Sequence, residues 1–244
     1  MQNLNLSVII PTYNRKDVLK HVILSLINQK ISSYEVIVCD DGSNDGTEKL
    51  VSNLKNDFTF PFELRYFFQE KYGFCAAKAR NMGIKNSKAE KIVFIDQDIV
   101  VAPNMLCELQ KVNEKEILYG KLFAVPYEFY RQKINDDIIL KNFEVFDTQY
   151  HGPFKATLSS FGVVYKKNLD LVEAFDEDFI EYGFEDTELM CRLNDIGIKS
   201  KFVSTFSAYH IGHDYEKLIA SKSMRDRHRH KRNNSKHNGV KVPI

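Results

Sequence analysis

Two absences limit the kind of protein that this chain can be. Four cysteines are scattered through the 244 residues without a C-x-x-C pair, so a disulfide framework or a zinc site is not expected and a reducing cytoplasm fits best. The apolar runs, such as Ile92–Ile95, are far shorter than the ~20 residues of a membrane span. Met1–Leu6 also lacks the charged start and apolar stretch of a signal peptide. We therefore expect a cytoplasmic protein without a membrane-spanning segment.

The charge is nearly balanced, with a formal net charge of +1, but it is concentrated near the C-terminal end. Lysines and arginines dominate the segment Lys222–Arg232, where Asp226 is the one acid. Two interpretations remain open for residues 216–244: a solvated basic tail, or contact with an acidic substrate or with the inner face of a membrane. We expect no nucleic-acid partner, and the sequence does not indicate the oligomeric state.

The apolar pattern of the first hundred residues predicts strands that alternate with helices. Short β-branched runs predict buried strands, and spacings of three and four residues predict amphipathic helices. The predicted strands are Leu6–Ile10, Glu35–Cys39, Leu64–Phe68 and Ile92–Ile95, and the predicted helices are Lys16–Gln29, a segment around Leu50–Leu54, and Cys75–Lys85. Such alternation is typical of right-handed βαβ units and hence of an α/β fold with a parallel sheet.

The second half is less regular, and its predictions rest on shorter patterns. Strands are predicted at Tyr119–Val125 and Thr157–Tyr165, and a helix at Glu185–Asp195. A further short helix is predicted to be capped by Asn168 and to run to Phe175. Without a repeat or a low-complexity linker, we expect one domain over residues 1–215, with halves at 1–100 and 101–215, followed by the tail.

Three of the predicted strands end in polar clusters. These clusters are Thr12-Tyr13-Asn14, Asp40-Asp41 and Asp96-Gln97-Asp98. In open α/β sheets, ligands bind beyond the carboxyl ends of the strands. Two clusters are rich in carboxylates, so the expected ligand is a cation or a donor-rich group such as a ribose or a base.

The triplet Asp96-Gln97-Asp98 is the strongest candidate for a metal site. Side chains alternate along an extended chain, so Asp96 and Asp98 point the same way and repel each other. A bound Mg²⁺ or Mn²⁺ would remove that repulsion, because hard oxygen ligands suit both ions. The alternative is a solvated turn, since two aspartates at this spacing are common.

Other candidate residues also have a structural alternative. Glu185 and Asp186 begin a predicted helix, where an acid acts either as a cap or as a general base. His210 and His213 are either structural residues or further ligands of the cation. Asp41–Gly46 imitates a calcium loop, but Ser52 stands where such a loop needs a glutamate, so an EF-hand is rejected.

In this order and spacing, the segments resemble the family 2 glycosyltransferases of the GT-A fold, from Ser7 to about His213. The similar segments are S-V-I-I-P-T-Y-N (Ser7–Asn14), D-D-G-S-N-D-G-T (Asp40–Thr47), A-R-N-M-G (Ala79–Gly83), D-Q-D (Asp96–Asp98) and G-F-E-D-T-E-L (Gly183–Leu189). The last resembles galactosyl- and N-acetylgalactosaminyltransferase-like members. The resemblance implies a Rossmann-like, mostly parallel central sheet flanked by helices, with a smaller acceptor-side region. The first half would bind the nucleotide sugar, and the second would bind the acceptor and carry the catalytic residues.

The resemblance also implies a role for each candidate residue. The nucleotide-sugar site would comprise Pro11, Thr12, Tyr13, Asn14, Asp40, Asp41, Arg80, Asp96 and Gln97. Within it Asp41 would accept a hydrogen bond from the uracil ring, and Asp96 would approach both the ribose and the metal. Asp98 would bind Mn²⁺ or Mg²⁺ directly, with His210 favoured over His213 as a further ligand. Asp186 would be the catalytic base, and Glu185 would bind the acceptor.

The implied function is an inverting, metal-dependent glycosyltransferase in surface polysaccharide synthesis. It would move one sugar from UDP-galactose, UDP-N-acetylgalactosamine or a similar donor to a hydroxyl of a glycan or lipid-linked saccharide. The absence of tryptophan excludes the Q-x-x-R-W motif of processive synthases. Two alternatives remain: a sugar-phosphate nucleotidyltransferase, against which the glycine-free loop Pro11–Arg15 argues, and a non-catalytic subunit that binds a sugar nucleotide.

Overall fold

A mixed sheet of nine strands organises the described part of the chain. The computed structural model describes residues 4–31, 33–141, 143–148, 151–180 and 183–212. The strands are β1 (Leu6–Thr12), β2 (Tyr34–Asp40), β3 (Glu63–Phe68), β4 (Lys91–Ile95), β5 (Ile99–Val101), β6 (Glu116–Val125), β7 (His151–Lys155), β8 (Gly162–Tyr165) and β9 (Lys199–Ile211). The α-helices are α1 (Lys16–Ser25), α2 (Thr47–Asp57), α3 (Ala76–Asn86), α4 (Met105–Leu109), α5 (Tyr127–Lys133), α6 (Asp136–Lys141), α7 (Leu158–Phe161), α8 (Lys166–Leu171) and α9 (Glu185–Asp195). Short 3₁₀ helices occupy Leu26–Asn28 and Phe143–Thr148.

The strand order divides the sheet into two parts. Its order is β3-β2-β1-β4-β8-β6-β9-β5, with β7 paired to β6. The first four strands in sequence are all parallel to one another. Strand β8 then runs antiparallel to β4 and β6, whereas β9 runs parallel to β6 and antiparallel to β5. The predicted α/β class with a parallel first half is confirmed.

Helices cover both faces of the parallel part, and this explains why its strands are continuous apolar runs. All residues of β1 and β2 are buried. Val8 and Ile10 point into the core beneath α1, while Ile9 and Ile37 point into the core beneath α3 and α9. The carboxyl ends of these strands are thereby fixed at one edge of the sheet.

Two predictions for the second half are wrong. The predicted strand Thr157–Tyr165 is a helical turn, α7, followed by β8, because Thr157 and Ser160 form a reciprocal capping box that starts a helix. Asn168 does not cap a helix but lies inside α8, where its side chain donates to the carbonyl of Glu114. That helix ends at Leu171 rather than Phe175, because Glu173 and Ala174 adopt positive φ angles of 59° and 55°.

No helix among the described residues is long and apolar enough to cross a membrane. Residues 4–212 contribute every strand of the one sheet, within the range predicted for the domain. The domain boundary and the proposed tail, residues 216–244, stay predictions because the tail lies outside the described residues.

Gly83 allows helix α3 to lie directly on the sheet. A Cβ at this position would come within 2.5 Å of Ile9 Cγ2 and 2.9 Å of Cys39 Sγ. Overpacking of this kind costs about 1–3 kcal/mol, so we expect Gly83→Ala to lower the free energy of unfolding by that amount in urea denaturation. Lys78→Ala, on the exposed face of α3, is the control and should change it by less than about 0.5 kcal/mol. Equal stability of the two variants would contradict the packing argument.

Candidate active site

A cavity of about 390 Å³ opens at the carboxyl ends of β1, β2 and β4. The strand-end clusters that the sequence predicts to meet do meet here. The predicted site residues in its wall are Pro11, Thr12, Tyr13, Asp41, Arg80, Asp96, Gln97, Asp98, Glu185, Asp186 and His210. The wall is completed by residues that were not predicted: Phe74, Ala76, Leu122, Lys155, Thr157, Ser159, Ser160 and Gly183.

Asp41 lines the cavity and already has three hydrogen-bond donors, Gln69, Lys71 and Cys75. We call these four residues, together with Tyr13, the Asp41 wall. Gln69 Nε2 donates to Oδ1 at 2.7 Å, while Lys71 Nζ at 2.5 Å and the backbone N–H of Cys75 at 3.1 Å donate to Oδ2. The Lys71 ammonium also lies 3.7 Å from the centre of the Tyr13 ring. Since a carboxylate has about four acceptor positions, Asp41 can accept one further hydrogen bond from a ligand.

Asp40 and Asn14 lie behind this wall rather than in it. Asp40 is fully buried and accepts from the backbone N–H of Ser43 at 2.7 Å and from the Tyr66 hydroxyl at 2.8 Å. Asn14 has φ 48° and accepts from the backbone N–H of Asn44 at 2.8 Å. Both side chains therefore shape the loops that carry Asp41 and Tyr13, and neither lines the cavity.

Gln97 joins the loop after β4 to the end of β1. Its Oε1 accepts from the Thr12 hydroxyl at 2.8 Å and from the backbone N–H of Tyr13 at 2.7 Å. The middle residue of the Asp96-Gln97-Asp98 triplet thus has a positioning role, because it fixes Tyr13 relative to the two aspartates.

Arg80 connects the two halves of the site through ion pairs. Its guanidinium donates from Nη2 to Asp96 Oδ1 at 2.8 Å and from Nη1 to Glu185 Oε1 at 3.0 Å, and the residue is only 4% exposed. Burial lowers the pKa of Arg80, but the attraction of the two carboxylates outweighs it, and the net pKa is raised. Burial, reinforced by neighbouring Asp98, raises the pKa of Asp96 to about 6 despite the ion pair with Arg80.

The rest of the A-R-N-M-G segment holds Arg80 in place. Asn81 donates from Nδ2 to the carbonyl of Phe175 at 2.8 Å and accepts from its backbone N–H at 3.0 Å. The Phe175 ring, which is almost fully buried, lies 5.5 Å from the Arg80 guanidinium carbon. Arg192 of α9 donates to the carbonyls of Val172 and Ala174 and so supports the same loop. Asn81 therefore fixes the loop that carries Phe175, and the Phe175 ring packs near the Arg80 guanidinium.

Asp98 and His210 are the pair that could hold a cation. His210 Nε2 lies 3.7 Å from Asp98 Oδ2, which is longer than a hydrogen bond. Neighbouring ligands of an octahedral ion with bonds of about 2.1 Å lie about 3.0 Å apart, so a small movement of the two side chains would let both bind one ion. Strand β9 creates the pair, because His210 lies opposite Ile99 and the N–H of Ile211 donates to the Asp98 carbonyl at 2.8 Å.

The described residues contain no group of three or more His, Cys, Asp or Glu side chains arranged around one metal position. Phosphate oxygens and water would have to complete the coordination, as is usual for Mg²⁺ at phosphate-binding sites. His213, the less favoured ligand, lies outside the described residues. On the chemistry of Asp98 and His210, a cation fits this position when it is shared with a phosphate ligand.

Asp186 faces the cavity from the first turn of α9. Its Oδ1 accepts from the N–H of Thr187 at 2.7 Å, and its Oδ2 lies 3.3 Å from the Ser159 hydroxyl, which can donate to it. Beside it, Glu185 Oε2 is buried and has no hydrogen-bond partner in the described part of the chain. An unpaired buried carboxylate oxygen in a cavity wall is suited to accept a hydroxyl of a ligand.

The hydroxyls of Thr157, Ser159 and Ser160 were missed as site residues, because the segment was predicted to be a strand. The usual sequence pattern of a capping box is Ser or Thr followed three residues later by Glu or Gln, and Ser160 takes the place of that acid or amide here, so the usual signal is absent. The helical turn aims these side chains into the cavity beside Asp186.

Comparison with known proteins matches residues 7–170 to the family described as glycosyl transferase family 2. A chondroitin synthase of Escherichia coli is 31% identical over 241 residues, which cover 84% of this chain and 34% of that protein. The GalNAc(5)-diNAcBac-PP-undecaprenol beta-1,3-glucosyltransferase of Campylobacter jejuni is 31% identical over 189 residues, which cover 75% and 57%. This chain therefore spans about a third of the length of the first relative and just over half of the second.

Solved structures show the same fold. S. aureus TarS 1-349 in complex with UDP-GlcNAc has a TM-score of 0.64 at 20% identity, covering 86% of this chain and 59% of that one. The mannosyltransferase PcManGT from Pyrobaculum calidifontis, in complex with GDP-Man and Mn²⁺, has a TM-score of 0.60 at 17% identity, covering 86% and 57%. The fold is the GT-A fold of these enzymes, as predicted. The chain belongs to glycosyl transferase family 2.

Proposed function

We propose that this chain is an inverting, metal-dependent glycosyltransferase that moves one sugar from a UDP-sugar to a hydroxyl of a saccharide acceptor. The observation that carries the proposal is that one cavity contains the Asp41 wall, the Asp98–His210 pair and Asp186. A nucleotide, a diphosphate with its cation and an acceptor hydroxyl each have a chemically suitable partner there. Membership of the family argues against the nucleotidyltransferase alternative.

The Asp41 wall favours uracil over guanine. Asp41 has one acceptor position left, and the edge of uracil offers one N–H between two carbonyls, whereas the edge of guanine offers two adjacent donor groups. Next to a base stacked on the exposed face of Tyr13, the Lys71 ammonium could keep its bond to Asp41 and use another of its three N–H groups to donate to a uracil carbonyl. A guanine would leave one of its donors without a partner, and this would weaken its binding.

The charge of the cavity supports metal dependence. Its wall carries five carboxylates, those of Asp41, Asp96, Asp98, Glu185 and Asp186. Arg80 is already paired with two of them, so a diphosphate would meet a wall of its own sign. Asp98 and His210 would hold Mn²⁺ or Mg²⁺, with Asp96 adjacent. Such a cation, when bound, supplies a Lewis acid that stabilises the growing charge of a leaving diphosphate.

Asp186 would act as the general base. Its carboxylate would accept the proton of the acceptor hydroxyl while that oxygen forms a bond to C1 of the donor sugar. The bond from C1 to the diphosphate oxygen breaks on the opposite face, and this single displacement inverts the anomeric centre. Glu185 Oε2, which has no partner among the described residues, would accept a sugar hydroxyl and orient the acceptor.

A glycan or lipid-linked saccharide is the acceptor class that we favour. Two relatives support this choice. One is named a chondroitin synthase, and the other is named a glucosyltransferase of a saccharide linked to undecaprenol through PP. A role in surface polysaccharide synthesis would follow. A lipid-linked acceptor would also bring the enzyme to the inner face of a membrane.

Titration calorimetry with UDP, with and without Mn²⁺, tests the metal site. We expect Mn²⁺ to raise the affinity for UDP at least about tenfold. Asp98→Ala should abolish this gain, because losing even a residue that only orients a metal ligand typically costs about 10–100-fold in metal affinity, and Asp98 is the proposed ligand itself. Asp57→Ala, an exposed acid at the end of α2, is the matched control and should keep the full gain.

The same protein samples are then screened with a panel of UDP-sugars, and transfer or hydrolysis of each donor is measured. Turnover of one donor distinguishes an enzyme from a subunit that only binds the nucleotide. UDP binding that does not depend on Mn²⁺, or that is unaffected by Asp98→Ala, would overturn the proposed metal site. Binding without turnover of any UDP-sugar would favour the non-catalytic alternative.

A further inference from the structure

Two lysines face each other across neighbouring strands at the edge of the cavity. Lys121 of β6 and Lys155 of β7 are direct partners in an antiparallel pair, and Lys155 is exposed and lines the cavity. Residues opposite each other in such a pair have Cβ atoms about 5 Å apart, and like charges there are destabilising. Lys121 is not part of the cavity wall, so the charge that a ligand meets there is that of Lys155.

Neither lysine forms an ion pair within the part of the chain that the structure describes. The ammonium of Lys155 lies 5.2 Å from the centre of the Phe202 ring, and that of Lys121 lies 5.1 Å from the centre of the Phe123 ring. The other cation in the wall, Arg80, is paired with two carboxylates. Of the two cations in the wall, Arg80 and Lys155, only Lys155 has no carboxylate partner among the residues that the structure describes.

Lys155 lies on the side of the proposed base. It comes two residues before Thr157, whose hydroxyl is 3.3 Å from that of Ser159, and Ser159 in turn contacts Asp186. This series of side chains belongs to the second half of the chain, whereas Asp41 belongs to the first, and both line the same cavity.

The sheet register also separates Lys155 from the candidate cation pair. His210 of β9 lies opposite Ala124 on one edge of β6, whereas Lys155 lies opposite Lys121 on the other edge. Two strand spacings and three residues along the strand place their backbones roughly 14 Å apart. A diphosphate held by a cation at His210 therefore does not need Lys155 as its partner.

We propose that Lys155, with Lys121 behind it, binds an anionic group of the acceptor, either a carboxylate of an acidic sugar or a phosphate of a phosphate-linked saccharide. This inference rests on the proposed function and adds to it the charge of the acceptor. Lys121 is not part of the cavity wall and would add its positive charge from behind Lys155. The acceptor hydroxyl is then held near Asp186 through the same wall.

Binding of two matched pairs of probes tests the proposal on the full chain, saturated with UDP and Mg²⁺ so that the donor site is filled; Mg²⁺ is used because paramagnetic Mn²⁺ would broaden the NMR signals. Methyl β-glucuronide is compared with methyl β-glucoside, and farnesyl diphosphate with farnesol, by NMR titration. We expect at least one anionic probe to bind at least about tenfold more tightly than its neutral counterpart, and added salt to reduce the difference. The pair that shows the preference identifies the source of the anion.

Three variants give the proposal its controls. Lys155→Met and Lys121→Met should each reduce the anion preference, Lys155→Met to less than about twofold, while UDP affinity stays within about twofold of wild type. Lys201→Met, an exposed lysine of β9 outside the cavity wall, should leave both unchanged. Urea denaturation of each variant shows that the fold is retained.

Two results would overturn the inference. Equal binding of anionic and neutral probes, with UDP binding normal, contradicts this inference and leaves the proposed function standing. A tenfold loss of UDP affinity in Lys155→Met would make the lysine a ligand of the donor diphosphate instead. Failure of the wild type to bind UDP would contradict the proposed function, and this inference with it.

Discussion

Replacing Asp186 by asparagine is expected to lower kcat for sugar transfer by about 10²–10⁴-fold, the usual contribution of a general base. Asparagine has the same shape and can still accept from the N–H of Thr187, which donates to Asp186 Oδ1 at 2.7 Å. It cannot take the proton of the acceptor hydroxyl. UDP affinity should stay within about twofold of wild type, because Asp186 has no place in the Asp41 wall.

Asp195→Asn is the matched control, because Asp195 is exposed at the other end of α9. It should retain full activity. Steady-state kinetics with the donor identified by the screen, together with calorimetry for UDP, give both quantities. An Asp186→Asn variant with more than about a third of the wild-type kcat would remove this residue from the role of base.

Replacing Arg80 by methionine is expected to lower the free energy of unfolding by about 3–5 kcal/mol, the usual effect of removing one partner from a buried ion pair. The change leaves Glu185, which is 7% exposed, and Asp96 facing each other without a cation. Transfer activity should be lost as well, because Glu185 belongs to the first turn of the helix that carries Asp186.

The loss of stability in Arg80→Met should be larger at pH 8 than at pH 5. The pKa of Asp96, raised to about 6, lies above its ordinary value, so the folded state binds this proton more tightly than the unfolded state does. Stability due to this group therefore falls as the pH rises through that range. Arg80 lowers the pKa of Asp96, so its removal raises that pKa further. The free energy of unfolding of the variant then continues to fall at a pH where that of the wild type no longer does.

Arg80→Lys is the graded comparison for this prediction, because it keeps the charge but cannot form both hydrogen bonds in the same fork geometry. We expect its stability to lie between those of wild type and Arg80→Met in urea denaturation. A loss below about 1 kcal/mol in Arg80→Met would show that the ion pair between Arg80 and Glu185 is not buried as the structure has it.

The parallel first half was predictable because its strands β1, β2 and β4 are buried on both faces. Such strands are short apolar runs that end at proline or aspartate, and the predicted strand Glu35–Cys39 differs from β2 by one residue at each end. The predicted helix Glu185–Asp195 has the bounds of α9, because its apolar residues recur at helical spacing and acids begin it.

The second half was less predictable because its elements depend on tertiary contacts. Strand β9 was not predicted: its first seven residues are mostly exposed, so they show no alternation of apolar and polar side chains. Long-range pairing with β6 and β5 decides its structure. The ion pair between Arg80 and Glu185 has no local signal either. Similarly, nothing local distinguishes Asp41, which lines the cavity, from Asp40, which does not.

Strand β9 also determines when the candidate site can be assembled during protein synthesis. The Asp41 wall uses residues up to Cys75, so it is translated with the first strands of the sheet. The partner of Asp98 is His210 on the ninth strand, and that strand must find β5 and β6, which left the ribosome much earlier. Because chains fold as they emerge, we expect the nucleotide wall to exist in nascent chains before the cation pair does. A nascent chain would thus stay inactive until β9 has docked on β5 and β6.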